Sequence, residues 1–139
     1  MSEPPLLAAP PEAVDDDPPV STFMTRDVVT VDADAGPGTA LREMARHGVR
    51  HLVLRVGDRE EGAVTEASVL RAVADDRPDA PLRQFRVVLP GIPADTRRTA
   101  VARRMVEHRV DAALVVDGDR VVGIVTATDL VRSLAGASR

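Results

Sequence analysis

The chain has 139 residues, a formal net charge of −4 and no cysteine, which excludes disulfides, thiolate nucleophiles and cysteine-ligated zinc. All 18 basic residues are arginine, and Phe23 and Phe85 are the only Phe, Tyr or Trp side chains. An acidic balance with almost no stacking platforms argues against nucleic acid as a partner. No apolar run reaches membrane-span length and no signal-peptide pattern opens the chain, so a cytoplasmic protein with no membrane partner is expected.

Residues 1–19 contain six prolines and the run Asp15-Asp16-Asp17. Such a segment buries too little apolar surface to offset its ordering entropy and reads as a disordered tail. A docking peptide for a partner is the functional alternative. From Val20 onward the chain repeats itself after 61 residues without a gap. His47-Gly48-Val49 falls on His108-Arg109-Val110, Gly57-Asp58-Arg59 on Gly118-Asp119-Arg120, and Gly62-Ala63-Val64-Thr65 on Gly123-Ile124-Val125-Thr126. The first repeat spans 20–76 and the second 81–137, joined by a proline-broken polar linker at 77–80.

Each repeat opens with a short strand, Val28 to Val31 in the first and Val87 to Leu89 with Ile92 in the second. An amphipathic helix follows, with Leu41, Met44 and Ala45 sharing one face and Ala102, Met105 and Val106 the other copy's face. Gly48 is placed to stop the first of these helices. Two strands joined by a tight Asp/Gly turn come next, His51 to Val56 with Glu60 to Val64, and Ala112 to Val116 with Arg120 to Val125. Helices at about Glu66 to Ala74 and Ala127 to Ala135 close the repeats. The fold class is therefore α/β, two β-α-β-β-α units expected to pack sheet to sheet around one core with pseudo-twofold symmetry, since one such unit is near the lower size limit for stability.

The stretch Gly123-Ile124-Val125-Thr126-Ala127-Thr128-Asp129-Leu130 runs from a β-branched apolar strand into a helix start. Free backbone N–H groups and a partial positive charge gather there, which suits an anion or polar ligand. Thr126 and Asp129, three apart, put a hydroxyl and a carboxylate at that point. The same spacing is close to a capping box, in which both side chains only satisfy the helix's own amides. The first copy carries Thr65 with Ser68 in place of the aspartate.

The duplicated unit, the Gly-hydrophobic-x-Thr-x-x-Asp signature at Gly123, Ile124, Thr126 and Asp129, and the openings Thr22-Phe23-Met24-Thr25 and Asp27-Val28-Val29-Thr30-Val31 resemble a tandem pair of cystathionine β-synthase (CBS) domains, a Bateman module, here of a stand-alone bacterial kind. The resemblance covers residues 20–137. It implies a non-catalytic regulatory sensor that binds AMP, ADP, ATP or S-adenosylmethionine in a cleft between repeats, with no metal required. Carried over, Asp129 would take the ribose hydroxyls and Thr126 the ribose or phosphate. Val88 to Gly91 would offer backbone to the base. Thr65 would be the weaker counterpart, and Arg50 a phosphate ligand. Ser68 gives up the charge-assisted bonds of a carboxylate, about 1.5–3 kcal/mol, so one strong site per chain is expected.

The resemblance also implies a flat homodimer and an unidentified downstream protein. Val69, Leu70, Val73, Leu130, Val131 and Leu134 look too apolar for solvated helices, which agrees. A ligand-free dimeric adaptor is the competing function. His47 and His51 are four apart, but Gly48 is placed to break the helix between them and a third ligand for zinc has no obvious source; His47 and His108 suit helix C-termini. Arg97, Arg98, Arg103 and Arg104 read as a solvated face. No nucleophile–base pair or carboxylate dyad is spaced for catalysis, so an enzyme is not expected.

Overall fold

A computed structural model describes residues 16–137 of the chain; the rest of the proline-rich tail lies outside the described residues. Backbone contacts divide the described residues into two compact units, Asp27–Leu89 and a second that joins the described residues up to Arg26 to those from Pro90 onward. These units cut across the boundaries of the sequence repeats, because the opening segment of each repeat packs into the core of the other.

In the first unit, strand β1 (Thr30–Asp32) runs parallel to β2 (His51–Val56), and β2 pairs antiparallel with β3 (Arg59–Thr65). Helix α1 (Pro37–His47) crosses over between β1 and β2, and α2 (Glu66–Ala74) follows β3 directly. Pro37 opens α1 at a position where its missing N–H is of no consequence, and Gly48 ends it at φ 66°, the left-handed region. The core is Val31, Ala40 and Met44 against Leu52, Leu54, Val64 and Val69. Leu82, from a short 3₁₀ turn at Leu82–Phe85, is fully buried in that core, worth about 1.5–3 kcal/mol. Backbone bonds from Leu82 to Ala35 (2.9 Å) and Arg83 to Ala33 (3.0 Å) fix it, with an Arg83–Asp34 ion pair and Arg77 over the Phe85 ring.

The second unit repeats the plan with β4 (Gly91–Pro93), α3 (Arg98–His108), β5 (Ala112–Asp117), β6 (Arg120–Thr126) and α4 (Ala127–Ala137), its sheet ordered β4-β5-β6. Its core is Ile92, Val101, Met105, Ala113, Val115 and Val125, and the plug is Val20, fully buried from a 3₁₀ turn at Val20–Thr22. The β2–β3 and β5–β6 ladders each carry an irregularity in the middle of the first strand. No helix among the described residues is long and apolar enough to cross a membrane.

Several sequence expectations shift by small but physical amounts. The opening strands are Thr30–Asp32 and Gly91–Pro93. Val87 instead bridges Ala63 of the first unit through paired bonds of 2.7 and 3.1 Å. The inner face of α1 is Pro37, Ala40 and Met44, with Ala45 exposed. The inner face of α3 is Arg98, Val101 and Met105, and Val106 is 76% exposed. Apolar spacing alone leaves two neighbouring faces possible on such short helices, and packing against β2 and β5 selects one. Arg98 is therefore not on a solvated face. Asp16 to Pro19 of the composition-defined tail are docked, as described below.

Candidate functional site

The strand β6 delivers Thr126 to the start of α4, where its side chain and that of Asp129 close a reciprocal cap. The Thr126 N–H donates to Asp129 Oδ2 (3.0 Å) and the Asp129 N–H donates to Thr126 Oγ1 (3.3 Å). Thr126 Oγ1 also donates to Oδ2 at 3.3 Å. A third group joins them from 104 residues away: Thr25 Oγ1 lies 3.2 and 3.3 Å from the two carboxylate oxygens of Asp129. Asp129 is 7% exposed. Burying a carboxylate is tolerable only with such donors and at the positive end of a helix.

Thr25 reaches that place because its backbone pairs with Ile124 on β6, N–H to O at 2.8 Å and O from N–H at 2.9 Å. The approach needs Gly123. A Cβ there would stand 2.7 Å from Met24 Sδ and 3.0 Å from the Thr25 carbonyl oxygen. The glycine of the signature thus makes room for the Met24-Thr25 segment. In the sequence Thr25 is part of the family-like opening Thr22-Phe23-Met24-Thr25, and nothing in local periodicity assigns it a partner so far along the chain.

The counterpart in the first unit is a plain cap. Thr65 N–H donates to Ser68 Oγ, Ser68 N–H to Thr65 Oγ1, and Ser68 Oγ to the Thr65 carbonyl, all at 3.0 Å. The Ser68 hydroxyl both accepts and donates within its own turn. Val87, which bridges Ala63 as Thr25 bridges Ile124, brings no hydroxyl. Both halves of the Thr25–Asp129 pair are therefore replaced in the first unit.

Of the other candidate residues, Gly91 belongs to the second unit with Thr126 and Asp129, paired with Leu114 in β4. Thr65, Arg50 and Val88 belong to the first unit. Arg50 is exposed and its carbonyl accepts from Glu66 N–H at 2.9 Å, as the Asp111 carbonyl accepts from Ala127 N–H at 2.9 Å in the other copy. Val88 is 73% exposed. His47 and His108 are the last residues of α1 and α3, and His47 Nε2 lies 3.4 Å from Glu43. Among the described residues no group of three His, Cys, Asp or Glu side chains could hold a metal.

A duplicated β-α-β-β-α unit whose polar side chains gather at strand-to-helix junctions, one junction carrying a buried acid and two hydroxyls, is a tandem-repeat module. The family model described as "CBS domain" matches residues 20–75 and again 88–136. The chain belongs to the CBS domain family and carries two copies. Solved structures of similar fold include a CBS domain protein of unknown function from Thermoplasma acidophilum, 28% identical over 88% of this chain and 73% of that one, TM-score 0.77. A CBS domain protein from Pyrobaculum aerophilum complexed with AMP is 23% identical over 85% of this chain and 98% of its own, TM-score 0.75. The CBS domain pair of protein MJ0100, in complex with 5′-methylthioadenosine and S-adenosyl-L-methionine, is 22% identical over 85% and 96%, TM-score 0.78.

Proposed function

We propose that the protein is a non-catalytic regulatory module that binds one adenosine-type ligand per chain, with Asp129 holding the ribose diol. The observation that carries this reading is the Asp129 carboxylate, nearly buried at a helix start and ringed by the Thr25 and Thr126 hydroxyls. A carboxylate accepts two vicinal hydroxyls in a bidentate manner, and charge-assisted bonds of this kind are the strong ones. The fold neighbours solved with AMP, S-adenosylmethionine and methylthioadenosine share the adenosine ribose as their common element, which supports the choice of ligand class. Thr126 would contact ribose or phosphate, and Gly91, in the same unit, would offer backbone to the base. Thr65 and Arg50 are assigned a lesser part, because the Thr65–Ser68 junction is closed on itself.

The second reading is a ligand-free adaptor. It is favoured by the reciprocal Thr126–Asp129 cap, which satisfies helix amides with no ligand at all. Both readings include a homodimer: Leu70 and Val73 on α2 are 50% and 47% exposed, and Val131 and Leu134 on α4 are 64% and 57% exposed. A second copy is the occupant that would cover them in an isologous contact.

Thermal melts with AMP, ADP, ATP, S-adenosylmethionine and a cyclic dinucleotide separate the readings. A ligand at 100 times its dissociation constant adds about 2.7 kcal/mol of stability. Asp129→Asn, which keeps a capping side chain, should lose that response. A flat panel with wild type supports the adaptor.

A further inference from the structure

The residues that open the described part of the chain do more than plug a core. Residues 16–25 run along the second unit and are fastened to it at both ends. At the inner end, Thr25 Oγ1 donates to Asp129. At the outer end, α3 lacks a capping side chain of its own, since its N-cap residue is Arg97. Asp17 fills that role from 82 residues away, accepting the Thr99 N–H at 2.8 Å, while the Pro18 carbonyl accepts the Arg98 N–H at 2.9 Å. The Thr99 N–H holds the Asp17 carboxyl below the usual carboxylate range, with Arg98 and Arg97 adding in the same direction.

Arg98 completes the fastening. It is only 9% exposed, and its guanidinium donates to the Asp16 carbonyl (2.6 Å) and to Ser133 Oγ (2.9 Å). Ser133 stands one turn beyond Asp129 on α4. The segment is thus tied to the same helix twice, directly through Thr25–Asp129 and indirectly through Asp16–Arg98–Ser133. In between, Val20 and Ser21 bond to the Thr96 and Ala94 carbonyls.

We infer that residues 16–25 form a strap locked onto α4, that the Thr25 hydroxyl occupies Asp129 in place of a ligand diol, and that a diol-bearing ligand opens the lock at this inner end. This rests on the adenosine reading of Asp129. The logic is competition. Asp129 already accepts from Thr126 N, Thr126 Oγ1 and Thr25 Oγ1. Thr126 belongs to the helix cap and stays, so two incoming ribose hydroxyls displace Thr25. Occupancy is then reported on the strap, which leads into the acidic, proline-rich residues 1–15.

Two measurements test this. Calorimetry with AMP compares wild type with Thr25→Val, an isosteric change that removes the competing donor. Affinity should rise about three- to tenfold, the range of an ordinary internal hydrogen bond, since at 3.2 and 3.3 Å this one is too long for the full charge-assisted strength. Unchanged or weaker binding overturns the competition. Amide hydrogen exchange then follows Val20, Ser21 and Thr25. In the ligand-free protein, Thr25→Val and Ser133→Ala should each speed exchange at these amides, and AMP should speed it further in wild type and in Ser133→Ala but not in Thr25→Val. Absence of faster exchange in the ligand-free variants overturns the lock itself. If wild type shows no heat with AMP, the ligand reading fails and the competition with it, while the ligand-free exchange still decides whether the strap is locked to α4.

Discussion

Gly123→Ala probes the contact on which the site is built. Gly123 has no left-handed φ, so an alanine meets no backbone strain; its effect is steric alone. The new methyl would fall 2.7 Å from Met24 Sδ, 3.2 Å from Met24 Cγ and 3.0 Å from the Thr25 carbonyl oxygen. Met24 can turn its thioether away at small cost. The Thr25 oxygen cannot retreat without stretching its bond from the Ile124 N–H, now 2.9 Å. Overpacking of this kind costs about 1–3 kcal/mol, which for a chain of this size lowers Tm by about 3–10 °C. Urea denaturation with Gly91→Ala as control measures it: a Cβ at Gly91 makes only an ordinary 3.5 Å contact with Val116, so that variant should stay within about 0.5 kcal/mol of wild type. The double variant Gly123→Ala with Met24→Ala should recover none of the share due to Thr25. A Gly123→Ala protein as stable as wild type would mean that the strap does not press on β6, and the Thr25–Asp129 contact would lose its support.

Other outcomes follow from the same geometry. Arg109 ends α3 at φ 55°, where the first copy has Gly48 at 66°; Arg109→Gly should therefore stabilise the protein by about 0.5–1 kcal/mol in urea melts. Leu82→Ala, removing a fully buried side chain, should cost about 2–5 kcal/mol and expose the 82–89 segment to protease. Asp17 has its folded pKa depressed by the Thr99 N–H, so its contribution is present above the ordinary carboxylate pKa and is lost as pH falls through the lower folded value. Acid titration of stability should show a shallower loss below about pH 4 for Asp17→Asn than for wild type. Leu134→Glu, at an exposed α4 position, tests the proposed homodimer: sedimentation should read a dimer for wild type and a monomer for the variant, with no loss of helicity.

The local grammar of this chain was plain in its residues. The 61-residue repeat, the turns at Gly57 and Gly118, the stop at Gly48 and the helix beginning at Glu66 all follow from short-range rules, and the structure has them there. Expectation and structure part where a long-range contact outweighs a local preference. Val87 looks like the first strand residue of the second repeat, yet its amide and carbonyl are taken by Ala63. Arg98 sits among three other arginines and reads as solvent-facing, yet a carbonyl and a hydroxyl drawn from residues far along the chain bury it. The site divides along the same line. Thr126 and Asp129 are legible because they are three apart on one helix start, whereas Thr25 is invisible until the strap is laid on β6. A reciprocal cap and a ligand grip use the same two residues, so spacing alone could not choose between them.

The exchanged plugs bear on how the chain comes off the ribosome. Val20 emerges early, but the pocket that receives it is assembled from Ile92, Val101, Ala113 and Val125, which emerge last. The first unit can close as soon as Leu82 is made, while Val20 stays wet until synthesis is nearly over. A nascent chain halted after residue 89 would display an orphaned apolar hook at its beginning, the kind of feature a chaperone holds and a protease finds.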